Sequence, residues 1–211
     1  MTTMVPLNGA LNDDQRYPRN TMKRLLDLIL AASLIVFTLP VMIIVALAIK
    51  CNGPGPVIYR QDRVGRGGRP FNLLKFRSMV PNAEQDGPVW AAEQDVRVTH
   101  VGRIIRLLRI DELPQLLNVM RGEMSMVGPR PERPYFVDHL ATKIPRFVER
   151  HAVTPGITGW AQINYPYGAS IEDAQHKLGY DLYYIQHQSL GLDLSILIST
   201  VRVVIFQKGA R

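Results

Sequence analysis

Two adjacent carboxylates stand near the middle of the chain, at the start of a predicted helix. Asp111 and Glu112 are followed by Leu113, Pro114 and Gln115. Pro114 fits the first turn of a helix, where no backbone donor is needed. A carboxylate at a helix N-terminus is held ionised by the helix dipole, so it can act as a nucleophile or a metal ligand. The spacing leaves a second explanation open, in which Asp111 only caps the helix.

Basic residues accumulate on both sides of this pair in the sequence. They are Arg60, Arg63, Arg66, Arg69, Lys75, Arg77, Arg97, Arg103, Arg106, Arg109, Arg121, Arg130 and Arg133. Arg130 lies between two prolines, and this stiff backbone suits a fixed phosphate clamp. Arginine matches phosphate oxygens bidentately, but an anionic lipid surface attracts the same cations, at about 1 kcal/mol each. Charge alone therefore does not separate a phosphate-rich substrate from a membrane surface.

A long apolar segment precedes the basic region. Residues 28–49 form a run of 22 residues without a charge, long enough for a helix to span a bilayer. A core helix of a soluble protein would keep a polar stripe. A cleaved signal peptide has a shorter apolar core and a small-residue cleavage site. The segment is therefore predicted to be a membrane helix.

Two features of this segment argue against an ordinary span. Pro40 lies past its middle, where it removes a backbone hydrogen bond and is expected to kink or break the helix; Thr38 is placed to satisfy a freed backbone group. Lys and Arg flank both ends, although an excess of positive charge marks the cytoplasmic side. We therefore predict a re-entrant helix over residues 21–50 that enters and leaves on the same face.

Composition limits the remaining possibilities. The chain has 211 residues, a net charge of +7, 46% hydrophobic and 20% charged residues, and one cysteine, Cys51. These values exclude wholesale disorder, a disulfide framework and a cysteine-based zinc site. We expect a flexible segment over residues 1–20, the membrane helix, and a catalytic domain over residues 51–211 on the cytosolic face, which includes interfacial helices.

The fold class is predicted as α+β and mostly helical. Residues 57–64 and 70–77 alternate as a β-hairpin around a glycine-rich turn. Helices are predicted after Thr99, from about Asp111 to Gly122, after Ser170, and over about residues 192–207. The last helix has Ile196, Leu197, Val201, Val204 and Ile205 on one face, with Ser195, Ser199 and Arg202 opposite. Packing in the core and lying in the membrane interface are equally compatible with this pattern.

Four motifs occur in an order that is similar to a known family. They are Lys-Phe-Arg-Ser-Met at 75–79, Asp-Glu-Leu-Pro-Gln at 111–115, Gly-Pro-Arg-Pro at 128–131 and Pro-Gly-Ile-Thr-Gly-Trp-Ala-Gln at 155–162. From about Lys23 onward the chain resembles the monotopic phosphoglycosyl transferases, a group of bacterial sugar transferases. The resemblance implies a re-entrant helix, as the charge pattern predicts independently.

The resemblance also implies a reaction and roles for particular residues. The family transfers a sugar-1-phosphate from a UDP-sugar to undecaprenyl phosphate with Mg²⁺, and releases UMP. By the match, Asp111 is the nucleophile that forms a covalent aspartyl phosphosugar. Glu112 is its partner, and both carboxylates are expected at the metal. Lys75, Arg77, Arg106 and Arg130 fall on the phosphate-binding positions.

Further expectations concern location and partners. The resemblance implies the cytoplasmic face of the inner membrane and the start of exopolysaccharide or O-antigen synthesis; the sugar and a homodimeric state stay open. Nucleic acid is not expected, because the basic segments carry few aromatic residues for stacking. The alternative function is a non-catalytic, membrane-anchored basic scaffold of a polysaccharide export complex.

The sequence departs from the family pattern at two positions. Leu39 precedes Pro40 where the family often has serine, and Thr154 stands where a basic residue is common. Residues 164–168 resemble the larger hexose-type members, which carry further N-terminal membrane helices. We therefore expect the chain to correspond to the catalytic core of such proteins. Trp160 and Asn164 could line a nucleotide site, although a buried structural tryptophan is the simpler explanation.

Overall fold

The protein is described by a computed structural model that covers residues 20–83, 95–166, 168 and 170–205. The predicted flexible segment therefore lies outside the described residues, apart from Asn20. The described part is mixed and mostly helical, with a small antiparallel hairpin, as predicted.

The N-terminal helix, α1, spans Thr21–Cys51. The Asn20 side chain caps it by accepting hydrogen bonds from the Met22 and Lys23 amides. Among the described residues α1 is the helix long and apolar enough to cross a membrane. Its middle is exposed, with Val36 at 70% and Phe37 at 81% of full exposure. An aqueous protein would bury such side chains.

Pro40 lies inside α1 without interrupting it, so the predicted break at this residue is wrong. Proline removes a single intrahelical bond, and the turns on either side keep theirs. Thr38 Oγ1 donates to the Leu34 carbonyl at 2.7 Å, whereas the acceptor that Pro40 leaves without an amide is the carbonyl of Val36. The role predicted for Thr38 is therefore also wrong. A bend within the continuous helix, and its return to the same face, stay predictions.

Both ends of α1 are attached to the rest of the chain. At the N-terminal end the buried Asp27 carboxylate accepts from Ser125 Oγ at 3.1 Å and from the Met126 amide at 2.9 Å. At the C-terminal end Val45 and Ile49 are buried in a cluster that also contains Phe76 and Ile105. The exposed middle of α1 therefore lies between two docked ends.

The hairpin consists of β1 (Ile58–Val64) and β2 (Pro70–Phe76), which pair antiparallel. The bounds agree with the prediction to within one residue. The turn between the strands contains Gly67 and Gly68 at φ of 63° and 74°, which side chains disfavour. Tyr59 lies opposite Lys75 in the register, so both side chains project from the same face.

Two short helices flank the carboxylate pair. Helix α2 spans His100–Leu107 and is capped by Thr99, as predicted. Helix α3 spans Gln115–Arg121 and ends at Gly122, which has a positive φ of 79°. Between them, residues Ile110–Glu112 form a 3₁₀ turn. The N-cap of α3 is Pro114, so the alternative in which Asp111 serves as the cap is excluded.

A second, two-stranded sheet pairs β3 (Ser125–Val127) with β4 (Gly156–Thr158) in parallel, and was not predicted. The backbones meet so closely that a Cβ on Gly156 would lie 2.1 Å from the Gly128 amide nitrogen. The intervening and following helices are α4 (Pro134–Ala141), a 3₁₀ segment (Phe147–Ala152), α5 (Trp160–Asn164), α6 (Ile171–Gln186) and α7 (Leu190–Ile205). Ser170 and Asp173 form a capping box at α6, as the sequence indicated.

The last helix packs against the core on one side only. Ile196 is fully buried, whereas Leu194, Ile198 and Val201 are 49%, 62% and 57% exposed. The predicted face that joined Ile196 with Val201 is therefore wrong. The orientation of this last helix is set by Asp193, whose buried carboxylate accepts hydrogen bonds from Lys23 Nζ at 2.8 Å and from the Tyr184 hydroxyl at 2.7 Å. Helix α7 thus combines a core-packed side with an exposed apolar side.

Candidate active site

Asp111 lies on the 3₁₀ turn between α2 and α3. The chain enters this turn through Arg109, which has a left-handed backbone at φ 57° and ψ 15°. Such strain on a residue with a side chain is concentrated at functional sites. Asp111 is 7% exposed, and within the described ranges its carboxylate makes no hydrogen bond or ion pair. A buried, unpartnered carboxylate is costly, and such groups call for a functional explanation.

Both carboxylate oxygens of Glu112, the next residue, contact basic side chains. Arg130 Nη2 lies 2.5 Å from Oε1 and Arg130 Nη1 lies 3.2 Å from Oε2, which is a bidentate pair. Lys75 Nζ is 3.5 Å and Arg109 Nη1 is 3.9 Å from Oε1. The sequence thus predicted three members of one cluster, Glu112, Lys75 and Arg130, from separate motifs.

The pKa values of the two carboxylates are shifted in opposite directions. Burial raises the pKa of Asp111, and the negative charge of Glu112 adds to the increase; Lys75, Arg130 and Arg106 oppose it. Burial alone would also raise the pKa of Glu112, but Arg130 and Lys75 outweigh burial and the pKa falls well below its usual range. This shift is opposite in direction to the one that a helix dipole would cause at an N-terminal carboxylate. Because Asp111 is less solvated and more basic than an exposed aspartate, it is suited to nucleophilic attack.

The cations of the site are also perturbed. Burial lowers the pKa of Lys75, although Glu112 partly offsets it. The pair with Glu112 raises the pKa of Arg130 above its ordinary value. Arg106 on α2 is half-buried and lowers the pKa of Asp111 through its charge. Lys75, Arg106 and Arg130 therefore bring positive charge to the two carboxylates, as phosphate binding requires.

Arg77 is not part of this cluster. Its guanidinium donates to the carbonyls of Ile49 at 3.1 Å, Gly53 at 3.0 Å and Pro54 at 2.5 Å. These acceptors belong to the C-terminal end of α1 and the turn that follows, where terminal carbonyls lack intrahelical partners. We therefore replace the prediction of phosphate binding by Arg77 with a structural role at the end of α1.

Two arginines that the sequence analysis did not single out, the half-buried Arg63 and the buried Arg150, hold the backbone of the Arg130 segment. Arg150 Nη2 donates to the Arg130 carbonyl at 3.0 Å, and Arg63 Nη1 donates to the Pro131 carbonyl at 2.8 Å. Arg150 is paired in turn with Asp181 at 2.8 Å. Burial raises the pKa of Asp181 to about 6, and Arg150 opposes the shift. No local motif marks this arrangement, because its members come from four separate elements.

The donor set for a metal ion is small. Within the part of the chain that the structure describes, no group of three or more His, Cys, Asp or Glu side chains could hold a metal ion. Mg²⁺ commonly uses one or two protein carboxylates together with substrate phosphate oxygens and water. Asp111 and Glu112 fit that requirement, and they do not form a complete protein cage.

Comparison with known proteins identifies the family of this chain. The sequence pattern of the bacterial sugar transferase family matches residues 18–207. The chain belongs to this family. Two curated relatives of these sugar transferases are a UDP-N-acetylgalactosamine-undecaprenyl-phosphate N-acetylgalactosaminephosphotransferase of Aeromonas hydrophila, 47% identical over 190 residues, and a UDP-glucose:undecaprenyl-phosphate glucose-1-phosphate transferase of Caulobacter vibrioides, 46% identical over 183 residues.

The extent of these matches differs between the relatives. The alignments cover 90% and 85% of this sugar transferase, but 45% of the Aeromonas protein and 68% of the Caulobacter protein. The sugar transferase EpsL of Bacillus subtilis is 42% identical, with 89% of each chain covered. The chain therefore spans less than half of one curated relative and most of another, and the relatives differ in the sugar that their names state.

Proposed function

We propose that this sugar transferase moves a sugar-1-phosphate from a UDP-sugar to undecaprenyl phosphate and releases UMP. The observation that carries the proposal is the unpartnered, buried Asp111 carboxylate beside the cluster of Glu112, Arg130 and Lys75. The names of the curated relatives supply the two substrates. The product, an undecaprenyl-diphosphate sugar, would start the assembly of an exopolysaccharide or O-antigen.

The proposed reaction has two displacements. In the first, an Asp111 carboxylate oxygen attacks the sugar-side phosphorus of the donor. An aspartyl phosphosugar forms, and the bond to the UMP oxygen breaks. In the second, an oxygen of undecaprenyl phosphate attacks the same phosphorus and releases the Asp111 carboxylate. Because phosphoryl transfer depends mainly on positioning and charge neutralisation, the surrounding cations carry most of the catalysis.

Glu112 has a different role from Asp111 in this proposal. Its bidentate pair fixes Arg130, and its 3.5 Å contact orients Lys75. The two cations are therefore preorganised before the donor binds. Asp111 and Glu112 would also hold Mg²⁺ together with the donor diphosphate, and the ion would supply further charge neutralisation at the phosphates.

We also propose that the protein is monotopic on the cytoplasmic face of the inner membrane. Both ends of α1 contact the same folded domain, which supports entry and exit on one side. Exposed apolar side chains also occur on α2, namely Ile104 and Leu107, and along α7. Amphipathic helices of this kind lie in a membrane interface. The site would then lie at the level of the phosphate of the lipid acceptor.

The test uses the detergent- or nanodisc-held protein with Mg²⁺, undecaprenyl phosphate and a panel of UDP-sugars, and it follows UMP release. The wild type should release UMP with at least one sugar, and Asp111→Asn should abolish it. Asp138→Asn, which changes an exposed aspartate on α4, is the matched control and should retain activity. Product formation by Asp111→Asn would remove Asp111 from the nucleophile role. An inactive wild type would instead favour the scaffold.

A further inference from the structure

We infer, on the basis of the proposed function, that the cavity between β1 and the start of α4 binds the nucleoside of the UDP-sugar. This cavity has a volume of about 310 Å³, within the range for small-molecule sites. Its walls include Tyr59 and Gln61 from β1, and Arg133 and Tyr135 at the start of α4. None of these four residues belongs to the candidate catalytic and phosphate-binding set described above, which consists of Asp111, Glu112, Lys75, Arg106 and Arg130.

The register of the hairpin places this cavity next to the phosphate-binding cluster. Tyr59 is the cross-strand partner of Lys75, so their Cβ atoms lie roughly 4.5–5.5 Å apart on one face of the sheet. Lys75 in turn contacts Glu112 at 3.5 Å. On the other side, Arg133 follows Arg130 by three residues, and their Cα atoms are at most about 11 Å apart. A diphosphate held by Lys75 and Arg130 would therefore present its nucleoside to this cavity.

The side chains of the cavity match the chemistry of a pyrimidine base. Tyr59 and Tyr135 are 37% and 60% exposed, and exposed aromatic rings provide stacking surfaces for bases. Gln61 Oε1 accepts from Arg63 Nε at 3.0 Å and from Arg63 Nη2 at 2.5 Å. Because a guanidinium only donates, this contact fixes which end of the amide faces Arg63. The Gln61 amide nitrogen is left as a donor for a carbonyl of uracil.

Other occupants fit the cavity less well. Its lining contains no aliphatic residue other than Pro134, whereas most of the exposed aliphatic side chains of the described residues lie on α1, α2 and α7. The lipid tail therefore belongs elsewhere. Trp160, the alternative stacking residue, already lies against Tyr183 with ring centroids 5.8 Å apart and packs against the core.

The experiment measures two constants, the KM for the UDP-sugar and the inhibition constant of UMP. Tyr135→Ala should raise both by about 5- to 30-fold, as expected for the loss of one stacking surface. It should leave the KM for undecaprenyl phosphate unchanged. Tyr135→Phe keeps the ring and should behave as the wild type does. Because Tyr135 is 60% exposed, its replacement is not expected to unfold the protein.

Tyr183→Ala is the matched control, and it should leave the inhibition constant of UMP unchanged. The assignment is overturned if Tyr135→Ala raises the KM for the donor but not the inhibition constant of UMP, since the cavity would then hold the sugar. It is also overturned if Tyr183→Ala weakens UMP inhibition and Tyr135→Ala does not. Should the wild type release no UMP with any sugar, the proposed reaction fails, and calorimetric titration of UMP into wild type and Tyr135→Ala still decides the nucleoside site.

Discussion

The two adjacent carboxylates of the site should respond in opposite ways to neutralisation. Asp111→Asn removes a buried charge that has no hydrogen-bond or ion-pair partner among the described residues. We therefore expect this variant to stabilise the fold at pH 8 by about 0.5–2 kcal/mol, a gain that is common when a destabilising group is removed from a functional site. Glu112→Gln removes a buried charge that holds Arg130 and Lys75. Breaking a buried pair costs about 3–5 kcal/mol; since the Arg130 side chain is 32% exposed, we expect about 2 kcal/mol of destabilisation.

The pH dependence gives the sign of each effect. The pKa of Asp111 is raised in the folded state, so the wild type loses stability as the pH rises through that pKa. The advantage of Asp111→Asn should therefore be absent below about pH 4 and should grow as the pH rises through the raised pKa of the folded state. The pKa of Glu112 is lowered, so its contribution is present above about pH 4.3 and is lost on further acidification. The deficit of Glu112→Gln should shrink at acid pH.

Thermal unfolding in detergent at several pH values measures both effects. For a chain of this size 1 kcal/mol corresponds to roughly 2–4 °C in Tm, so Asp111→Asn should unfold a few degrees above the wild type at pH 8 and Glu112→Gln about 4–8 °C below it. The exposed control Asp138→Asn should stay within about 1 °C. A fall in Tm for Asp111→Asn similar to that for Glu112→Gln would refute the description of Asp111 as an unpartnered, destabilising anion.

Three further predictions concern α1. Arg77→Ala should destabilise the fold by about 2 kcal/mol, because it removes charge-assisted bonds to three carbonyls, and it should leave the KM for the donor unchanged; a raised KM with an unchanged Tm would restore the phosphate-binding role. Asp27→Ala should cost about 1–3 kcal/mol in thermal unfolding, because it leaves the buried Met126 amide without an acceptor, whereas Ser125 Oγ keeps the Val127 carbonyl. The exposed control Asp62→Ala should cost less than about 0.5 kcal/mol. The exposed Cys51 should react with a membrane-impermeant maleimide only in inverted vesicles. As a control, Asp138→Cys in a Cys51→Ser background should show the same labelling. Labelling of Cys51 from the periplasmic side would contradict a re-entrant α1.

The elements that the sequence predicted well are those with a strong local signal. The uncharged run gives α1, strand alternation gives the hairpin, and Thr99 and Ser170 mark two helix starts. The sequence also singled out Asp111 as a candidate, but it did not predict the surroundings of this side chain. A nearby helix N-terminus suggested an ionised carboxylate, whereas the structure ends the 3₁₀ turn before α3 begins and buries the side chain. Burial depends on what packs over a residue, and local spacing carries no such information.

The largest errors came from arginines, because one side chain type serves several purposes. Arg77 lies in the same motif as Lys75, yet it stands just past the end of β2, where strand alternation no longer fixes its direction, and Arg77 reaches the end of α1 instead of the carboxylates. Arg63 and Arg150 support the backbone of Arg130 through contacts between residues 68 and 20 positions apart in sequence. The number of arginines in a segment does not show which of them bind a substrate and which donate hydrogen bonds to backbone carbonyls.

The contacts of α1 indicate that this long apolar helix is built into the folded domain that carries Asp111 and is more than a tether. At its N-terminal end Lys23 and Asp27 bond to α7 and β3, and β3 leads directly into the segment that carries Arg130. At its C-terminal end, the turn that follows α1 is held by Arg77. Arg77 follows Lys75, which lies on β2, by two residues. Arg130 and Lys75, the two cations that contact Glu112, are thus each connected by a short stretch of chain to a residue that hydrogen-bonds to α1, at opposite ends of the helix. Because a tether would need no such bonds, we expect, under the proposed function, that the position of α1 in the lipid sets the depth of Asp111 below the headgroups, and with it the access of Asp111 to the phosphate of the lipid acceptor.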